Sequence, residues 1–95
     1  MSQYELMMVM DPEIDDDQVE GMQERVRTFV AERDGQLTGE DHWGRRKLAF
    51  RIGKFSEGNY FVAQLELEPA PAKELEGTLN MAENVLRYLL VLRKR

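Results

Sequence analysis

Two runs of strand-forming residues lie back to back in the middle of this chain, WGRRKLAFRIGKFSEGNYFV from Trp43 to Val62. Ser56-Glu57-Gly58-Asn59 reads as the turn between them. In the first run Leu48, Phe50 and Ile52 alternate with Lys47, Ala49 and Arg51. In the second, Tyr60 to Leu67, the residues Phe61, Ala63, Leu65 and Leu67 face one way, and Tyr60, Val62, Gln64 and Glu66 the other. Period-two alternation of this kind is the mark of strands. A central hairpin leaves one short stretch on each side, and each stretch holds one helical pattern and one strand pattern.

Upstream, Tyr4 to Met10 is apolar on both parities, with Tyr4, Leu6, Met8 and Met10 on one side and Met7 and Val9 on the other. That suits a central strand covered, at least in part, on both faces, and Asp11-Pro12 stops it. A helix follows. Asp15 is its N-cap, Gln18 completes a capping box, and Ile14 and Val19 are spaced for a hydrophobic staple. Asp16 and Asp17 suit the positive end of the helix dipole. Val19, Met22, Val26, Phe29 and Val30 form its apolar face. Asp34-Gly35 ends it, with Gly35 predicted as the left-handed residue. Gly21 inside the helix has no evident purpose in the sequence. Downstream, Pro69-Ala70-Pro71 opens a second helix. Its apolar positions are Ala72, Leu75, Leu79 and Ala82, and it ends between Asn80 and Asn84. Val85 to Leu92 is the last strand. The order is βαββαβ, so the predicted fold is an α+β ferredoxin-like sandwich: a four-stranded antiparallel sheet with two helices on one face. Residues 1–95 are read as a single domain.

Charge is distributed unevenly. The chain is acidic, at net −5, yet Arg45, Arg46, Lys47, Arg51 and Lys54 crowd into the central run, and Glu57 is the one acid from His42 to Tyr60. Net acidity argues against non-specific nucleic-acid binding by the whole surface. A local basic ridge still acts on its own, because exposed charges are screened beyond ~8 Å at physiological salt. Such a ridge suits phosphate contact, and it equally suits protection of an exposed strand edge. The sheet face away from the helices should carry Glu5, Met7, Val9, Tyr60, Val62, Leu89 and Val91, with Ala49 a further candidate from the hairpin. Apolar residues on an uncovered face point to a protein partner.

Other features have plainer readings. Tyr60 and Phe61 beside Gly58 only weakly resemble an RNA-recognition motif, because Glu57 stands where a basic residue belongs. Trp43 reads as a packing or partner residue, and His42 as an exposed histidine. Asp15-Asp16-Asp17 reads as capping rather than a calcium loop. Arg93-Lys94-Arg95 is either a phosphate-contacting tail or a solvated end. With no cysteine and one histidine, the sequence offers neither a thiolate nucleophile nor a cluster of histidine ligands, and no metal or cofactor is expected. No apolar run approaches the ~20 residues needed to span a bilayer. The N-terminus lacks the basic start of a signal peptide.

Taken in order, Tyr4-Glu5, Asp11-Pro12, Trp43-Gly44-Arg45-Arg46-Lys47-Leu48-Ala49-Phe50, Ile52, Lys54, Gly58 to Val62 and LNMAENVLRYLLVLR from Leu79 to Arg93 resemble the bacterial small-subunit ribosomal protein S6 family. The resemblance runs over about residues 2–93. It implies a cytoplasmic, non-enzymatic component of the ribosome. It further implies binding to the central domain of small-subunit ribosomal RNA, cooperatively with ribosomal protein S18. On that reading Arg45, Arg46, Lys47, Arg51 and Lys54, then Arg87 and Arg93, are the expected phosphate contacts. Met7, Val9, Tyr60, Val62, Leu89 and Val91 are the expected partner contacts. Arg51 stands where many relatives have proline, which predicts a more regular edge strand. The chain stops at Arg95, so glutamate addition to a long tail is not expected.

Two other functions share this fold. A small acylphosphatase-like hydrolase would need a phosphate-cradling loop after the first strand, where Met10-Asp11-Pro12-Glu13 is acidic. A self-associating metabolic regulator would be a stable homodimer with a small ligand. Fold alone does not separate these from an RNA-binding scaffold.

Overall fold

Alternation in the first strand decides which face of the sheet is covered. In the computed structural model, which describes residues 1–93, β1 (Ser2–Met10) buries Leu6, Met8 and Met10 completely against the helices. The elements that follow are α1 (Asp16–Glu32), β2 (Gln36–Ile52), β3 (Phe55–Leu67), α2 (Pro69–Met81) and β4 (Val85–Arg93). The four strands form one sheet in the order β2-β3-β1-β4, every neighbouring pair antiparallel. The expected βαββαβ sandwich is therefore present.

β1 and β3 are the central strands. Pairing of Leu6 with Ala63 and Met8 with Phe61 brings the inward residues of both into one layer. Phe61, Ala63, Leu65 and Leu67 are all sealed from solvent, as their parity predicts. From α1 this layer receives Met22, Val26 and Val30, and from α2 it receives Ala72, Leu75 and Leu79. Each large side chain buried in this way contributes roughly 1.5–3 kcal/mol.

The start of α1 follows the sequence reading. The Gln18 backbone N–H donates to Asp15 Oδ1 at 2.8 Å, and the Asp15 N–H donates to Gln18 Oε1 at 3.2 Å. Its end differs from the expectation. The left-handed residue is Asp34, at φ 63, not Gly35. The Asp34 N–H donates to the Ala31 carbonyl at 3.2 Å and the Gly35 N–H to the Val30 carbonyl at 3.0 Å, which together make a Schellman motif. Aspartate tolerates this backbone better than most side chains do. Gly35 is needed for a different reason: a Cβ there would lie 2.4 Å from the Glu66 carbonyl oxygen and 2.8 Å from Leu67 Cδ1.

The hairpin turn also moves. Ser56 to Asn59 lie inside β3, and the connection is Gly53-Lys54, closed by the Ile52–Phe55 pair. Gly53 has φ 57, at the first central position that type II′ hairpins reserve for glycine. Gly58 looked like a turn residue because small polar residues flank it. Its real constraint is contact: a Cβ would meet Val9 Cγ1 at 2.3 Å, the close approach that glycine inside a strand often marks. The regular edge expected from Arg51 is not found either. The ladder breaks between Lys47 and Ile52.

Gly21 and Gly35 predict opposite outcomes. Gly21 is exposed within α1, and a Cβ there would meet nothing. Gly21→Ala should raise stability by up to ~1 kcal/mol, and Gly35→Ala should lower it by ~1–3 kcal/mol through overpacking. Urea unfolding of the two variants beside the parent protein measures both.

Candidate nucleic-acid interface

The β2–β3 hairpin outruns the rest of the sheet. β1 ends at Met10, opposite Asn59, so Phe55 to Gly58 pair with β2 alone. Arg45 faces Asn59 at the base of this projection, Arg46 faces Gly58, and Lys47 faces Glu57. Arg51 flanks the turn and Lys54 lies within it. Sequence proximity thus becomes spatial clustering on a two-stranded arm.

Two irregularities in β2 decide where these side chains point. His42 pairs with Phe61, but the next pair joins Gly44, not Trp43, to Tyr60. One extra residue is therefore held in a β-bulge, with Gly44 at φ 74. The bulge reverses parity, so that Trp43 and Arg46 share the face of Tyr60. The Trp43 and Tyr60 rings stack at 5.8 Å between centroids and 20° between planes. The Arg46 guanidinium carbon lies 4.8 Å from the Trp43 ring centroid. Arg45 is turned the other way, and its Nη2 donates to the Pro12 carbonyl. Between Lys47 and Ile52 the second irregularity lets Leu48 to Arg51 bow out of the ladder.

That bowed segment walls a groove of about 240 Å³ on the helix-free face. Met7, Val9 and Tyr60 floor it, Leu48, Ala49, Phe50 and Ile52 form one side, and Arg87 and Leu89 stand opposite. Of the six expected partner residues, Met7, Val9, Tyr60 and Leu89 therefore come together. Val62 pairs with Met7 just outside, and Val91 lies further along β4 opposite Glu5. Val9 and Val62 are 4% and 6% exposed, so they support the surface rather than present it. The presented apolar surface is Phe50, at 81% exposure, with Leu89 and Val91. Phe50 was missed as a candidate because simple alternation in β2 would place it on the inner face of a regular strand.

The other half of this face is polar and satisfied within the chain. Gln64 Nε2 donates to Glu5 Oε2 at 3.2 Å, and Gln36 Nε2 donates to Glu66 Oε1 at 2.9 Å. Arg93 belongs to this half, 3.8 Å from Glu5 and paired opposite Gln3. It lies ~23 Å from the hairpin base along the strand direction, at ~3.3 Å per residue. Arg87, opposite Val9 on the other edge strand, faces the hairpin across the groove; Arg93 does not. Lys94 and Arg95 of the basic tail fall outside the described residues.

The helix layer uses its charges differently. Arg27 of α1 donates to Glu40 of β2 through both Nε and Nη2, at 2.8–3.1 Å, and through Nη1 to Glu20 at 2.7 Å and Glu24 at 3.0 Å. His42 Nε2 lies 3.2 Å from Glu40 Oε1. The Arg27 guanidinium holds the Glu40 carboxyl below the usual carboxylate range, His42 adding to the effect against the opposing cost of burial. The hydrogen bonds that Arg27 donates to Glu40 and Glu20 in turn raise its own pKa. By contrast, none of Arg45, Arg46, Lys47, Arg51, Lys54 and Arg87 makes a salt bridge among the described residues.

The loop after β1 is closed to phosphate. The Asp11 N–H donates to the Asn84 carbonyl and the Glu13 N–H to Asp11 Oδ1, while Pro12 has no N–H. Two donors of this acidic segment are thus engaged within the chain and a third position has none. Among the described residues no three His, Asp or Glu side chains converge as a metal site, and no helix is long and apolar enough to cross a membrane.

A ferredoxin-like sheet with one packed face, a bare apolar groove and an arm whose cations make no salt bridge among the described residues defines a binding module. The sequence profile of ribosomal protein S6 matches residues 3–92. The small ribosomal subunit protein bS6 of Caldanaerobacter subterraneus is 38% identical over 91 residues, covering 96% of each chain. That of Acidothermus cellulolyticus is 43% identical over 91 residues, covering 96% of this chain and 95% of its own. The crystal structure of 30S ribosomal protein S6 from Thermotoga maritima superposes with a TM-score of 0.90 at 29% identity, covering 97% of this chain and 87% of that one. The C-terminal domain of MgtC from Mycobacterium tuberculosis, at TM-score 0.69 and 12% identity, shares the fold alone. The chain belongs to the ribosomal protein S6 family, and with the family comes its role: a structural component of the small ribosomal subunit in the cytoplasm, not an enzyme.

The clamp between α1 and β2 predicts a pH dependence. Above pH 4.5, the ordinary value for Glu40, its carboxylate is ionised in both folded and unfolded chains, and the clamp contributes fully. As pH falls below 4.5 through the depressed native value, the unfolded chain takes up the proton first and the contribution is lost. Glu40→Gln should cost about 0.5–1 kcal/mol at pH 7 and flatten the acid side of the stability curve, as measured by urea midpoints from pH 7 to pH 3.

Proposed function

We propose that this protein holds a folded junction of small-subunit ribosomal RNA, in the central domain, together with ribosomal protein S18. The hairpin arm contacts phosphates through Arg45, Arg46, Lys47, Arg51 and Lys54, with Arg87 beside them, and Arg93 makes a separate contact at the far end of the sheet. The observation that carries this reading is the pairing state of the cations. Arg27 and Arg33 in the helix layer are matched to glutamates, whereas those on the arm are matched to none among the described residues. Leaving several like charges together on a projecting element costs repulsion that a polyanion relieves.

The partner sits on the bare face. Met7, Val9, Tyr60, Val62, Leu89 and Val91 form or support its seat, and Phe50 of the bowed segment adds exposed apolar surface. A soluble chain that leaves such a patch open presents a protein contact. Phosphate contacts fix position rather than read base sequence. The partner raises affinity by extending the surface and holding the arm in place, so that less ordering is left for the RNA to drive. Net charge of −5 makes binding by this protein alone weak.

Gel shift of a central-domain RNA fragment, with and without S18 and at two salt concentrations, tests the whole reading. Tight binding is expected only with S18 present. Replacing Arg45, Arg46 and Lys47 by alanine should weaken it and lower the slope of log affinity against log salt by about two to three, at ~0.7–0.9 per lost phosphate contact. Leu89→Asp should abolish the gain from S18 while leaving the thermal midpoint near that of the parent. Absence of RNA binding in every condition would overturn the assignment.

A further inference from the structure

The stack Tyr60–Trp43–Arg46 has a use that packing does not explain. Trp43 is the single tryptophan of the chain. One face of its indole lies against Tyr60 and Arg46 lies over the ring, while its Nε1 donates to Asp41 Oδ2 at 2.9 Å. The ring is thus fixed by a stack and an edge hydrogen bond. It is not free as a platform for a base, because Tyr60 and Arg46 already occupy it. It is, however, a rigid seat for a guanidinium. A cation over an indole is held by the ring quadrupole, and an arginine so held gives up less freedom when it meets a phosphate.

The backbone supports the same reading. Without the extra residue at Trp43-Gly44, Arg46 would fall on the face opposite Trp43. The bulge, with Gly44 in the left-handed region, is what brings the two side chains together. It does so at the base of the arm, where Arg46 is an exposed cation without a salt bridge among the described residues.

We propose that Trp43 is a positioning residue for RNA contact by Arg46, holding the guanidinium ready for a backbone phosphate. This rests on the phosphate-contact reading above, and the test separates the two. Binding of the central-domain RNA fragment, with S18 present, is measured for Trp43→Leu, Arg46→Ala and the double variant, with thermal midpoints recorded for each. Trp43→Leu should weaken binding about three- to tenfold, the cost of ordering one long side chain, and leave the salt slope unchanged because the phosphate contact still forms. Arg46→Ala should weaken binding and lower the slope by about one contact, ~0.7–0.9. In the Arg46→Ala background, Trp43→Leu should have no further effect. Trp43→Phe, which keeps a ring beneath the guanidinium and guards against a folding defect, should bind within about twofold of the parent.

Equal losses from Trp43→Leu in both backgrounds would overturn the positioning role and leave phosphate contact by Arg46 standing. So would no loss from Trp43→Leu where Arg46→Ala does weaken binding. No loss from Arg46→Ala would overturn both the positioning role and the place of Arg46 in the RNA contact. A shift of the Trp43 emission in free Arg46→Ala protein is expected from loss of the stacked cation, and an unchanged spectrum would count against the stack.

Discussion

The constraint on which everything else rests is the period of two in β1 and β3. Leu6, Met8 and Met10 meet Phe61, Ala63, Leu65 and Leu67 in one sealed layer under both helices. A slip of one residue in the pairing would turn all of them to solvent and drive Glu5, Gln64 and Glu66 into the core. That penalty fixes the register, the register fixes which face is bare, and the bare face carries the groove. The helices contribute to this by being ordinary: a capped start at Asp15, a Schellman end at Asp34 and an apolar stripe each.

Freedom is left to β2, which lies at the sheet edge with β3 as its one neighbour. Its register shifts at three places, against one in the β1–β4 pairing, and irregularity of this kind on an edge discourages edge-to-edge pairing. Two of these shifts build the interface. The one at Trp43-Gly44 reverses parity and aligns Arg46 with Trp43. The one between Lys47 and Ile52 bows Phe50 outward and walls the groove. The same edge position explains why the arm can project past β1: no second neighbour limits its length.

This division sets what was legible in the sequence. The elements set by a strict period or a local cap could be read directly: the central strand from Leu6, Met8 and Met10, the α1 start from Asp15 and Gln18, and the inward face of β3. Positions set by contact across the fold could not. Local rules know only conformation, so they make Gly35 a left-handed helix end and Gly58 a turn residue, whereas both are demanded by neighbours distant in sequence: Glu66 and Leu67 for one, Val9 for the other. The turn at Gly53-Lys54 was hidden by the stronger-looking Ser56 to Asn59. Phe50 escaped notice because bulges interrupt the alternation that was used to place it. The cations are plain in the sequence, but the placing of Arg87 across the groove from the arm and of Arg93 at the far end of β4 depends on the strand order and register.

An acidic protein can present a surface for RNA because its charges are sorted by layer. Glu20, Glu24 and Glu40 converge on Arg27 at the α1–β2 seam, and Glu74 lies by Arg33, so both arginines are engaged by carboxylates within a few ångströms and the carboxylates remain in excess. Charge that is locally balanced has little reach, and exposed charge fades over ~8 Å at physiological salt. The arm extends beyond β1 and carries cations without salt bridges among the described residues. A phosphate approaching it meets the local field, not the net charge. The residual acidity still matters at longer range, where it opposes unguided approach of RNA to the helix face. On the proposed RNA contact, the same layering would give affinity at the arm and orientation to the whole molecule.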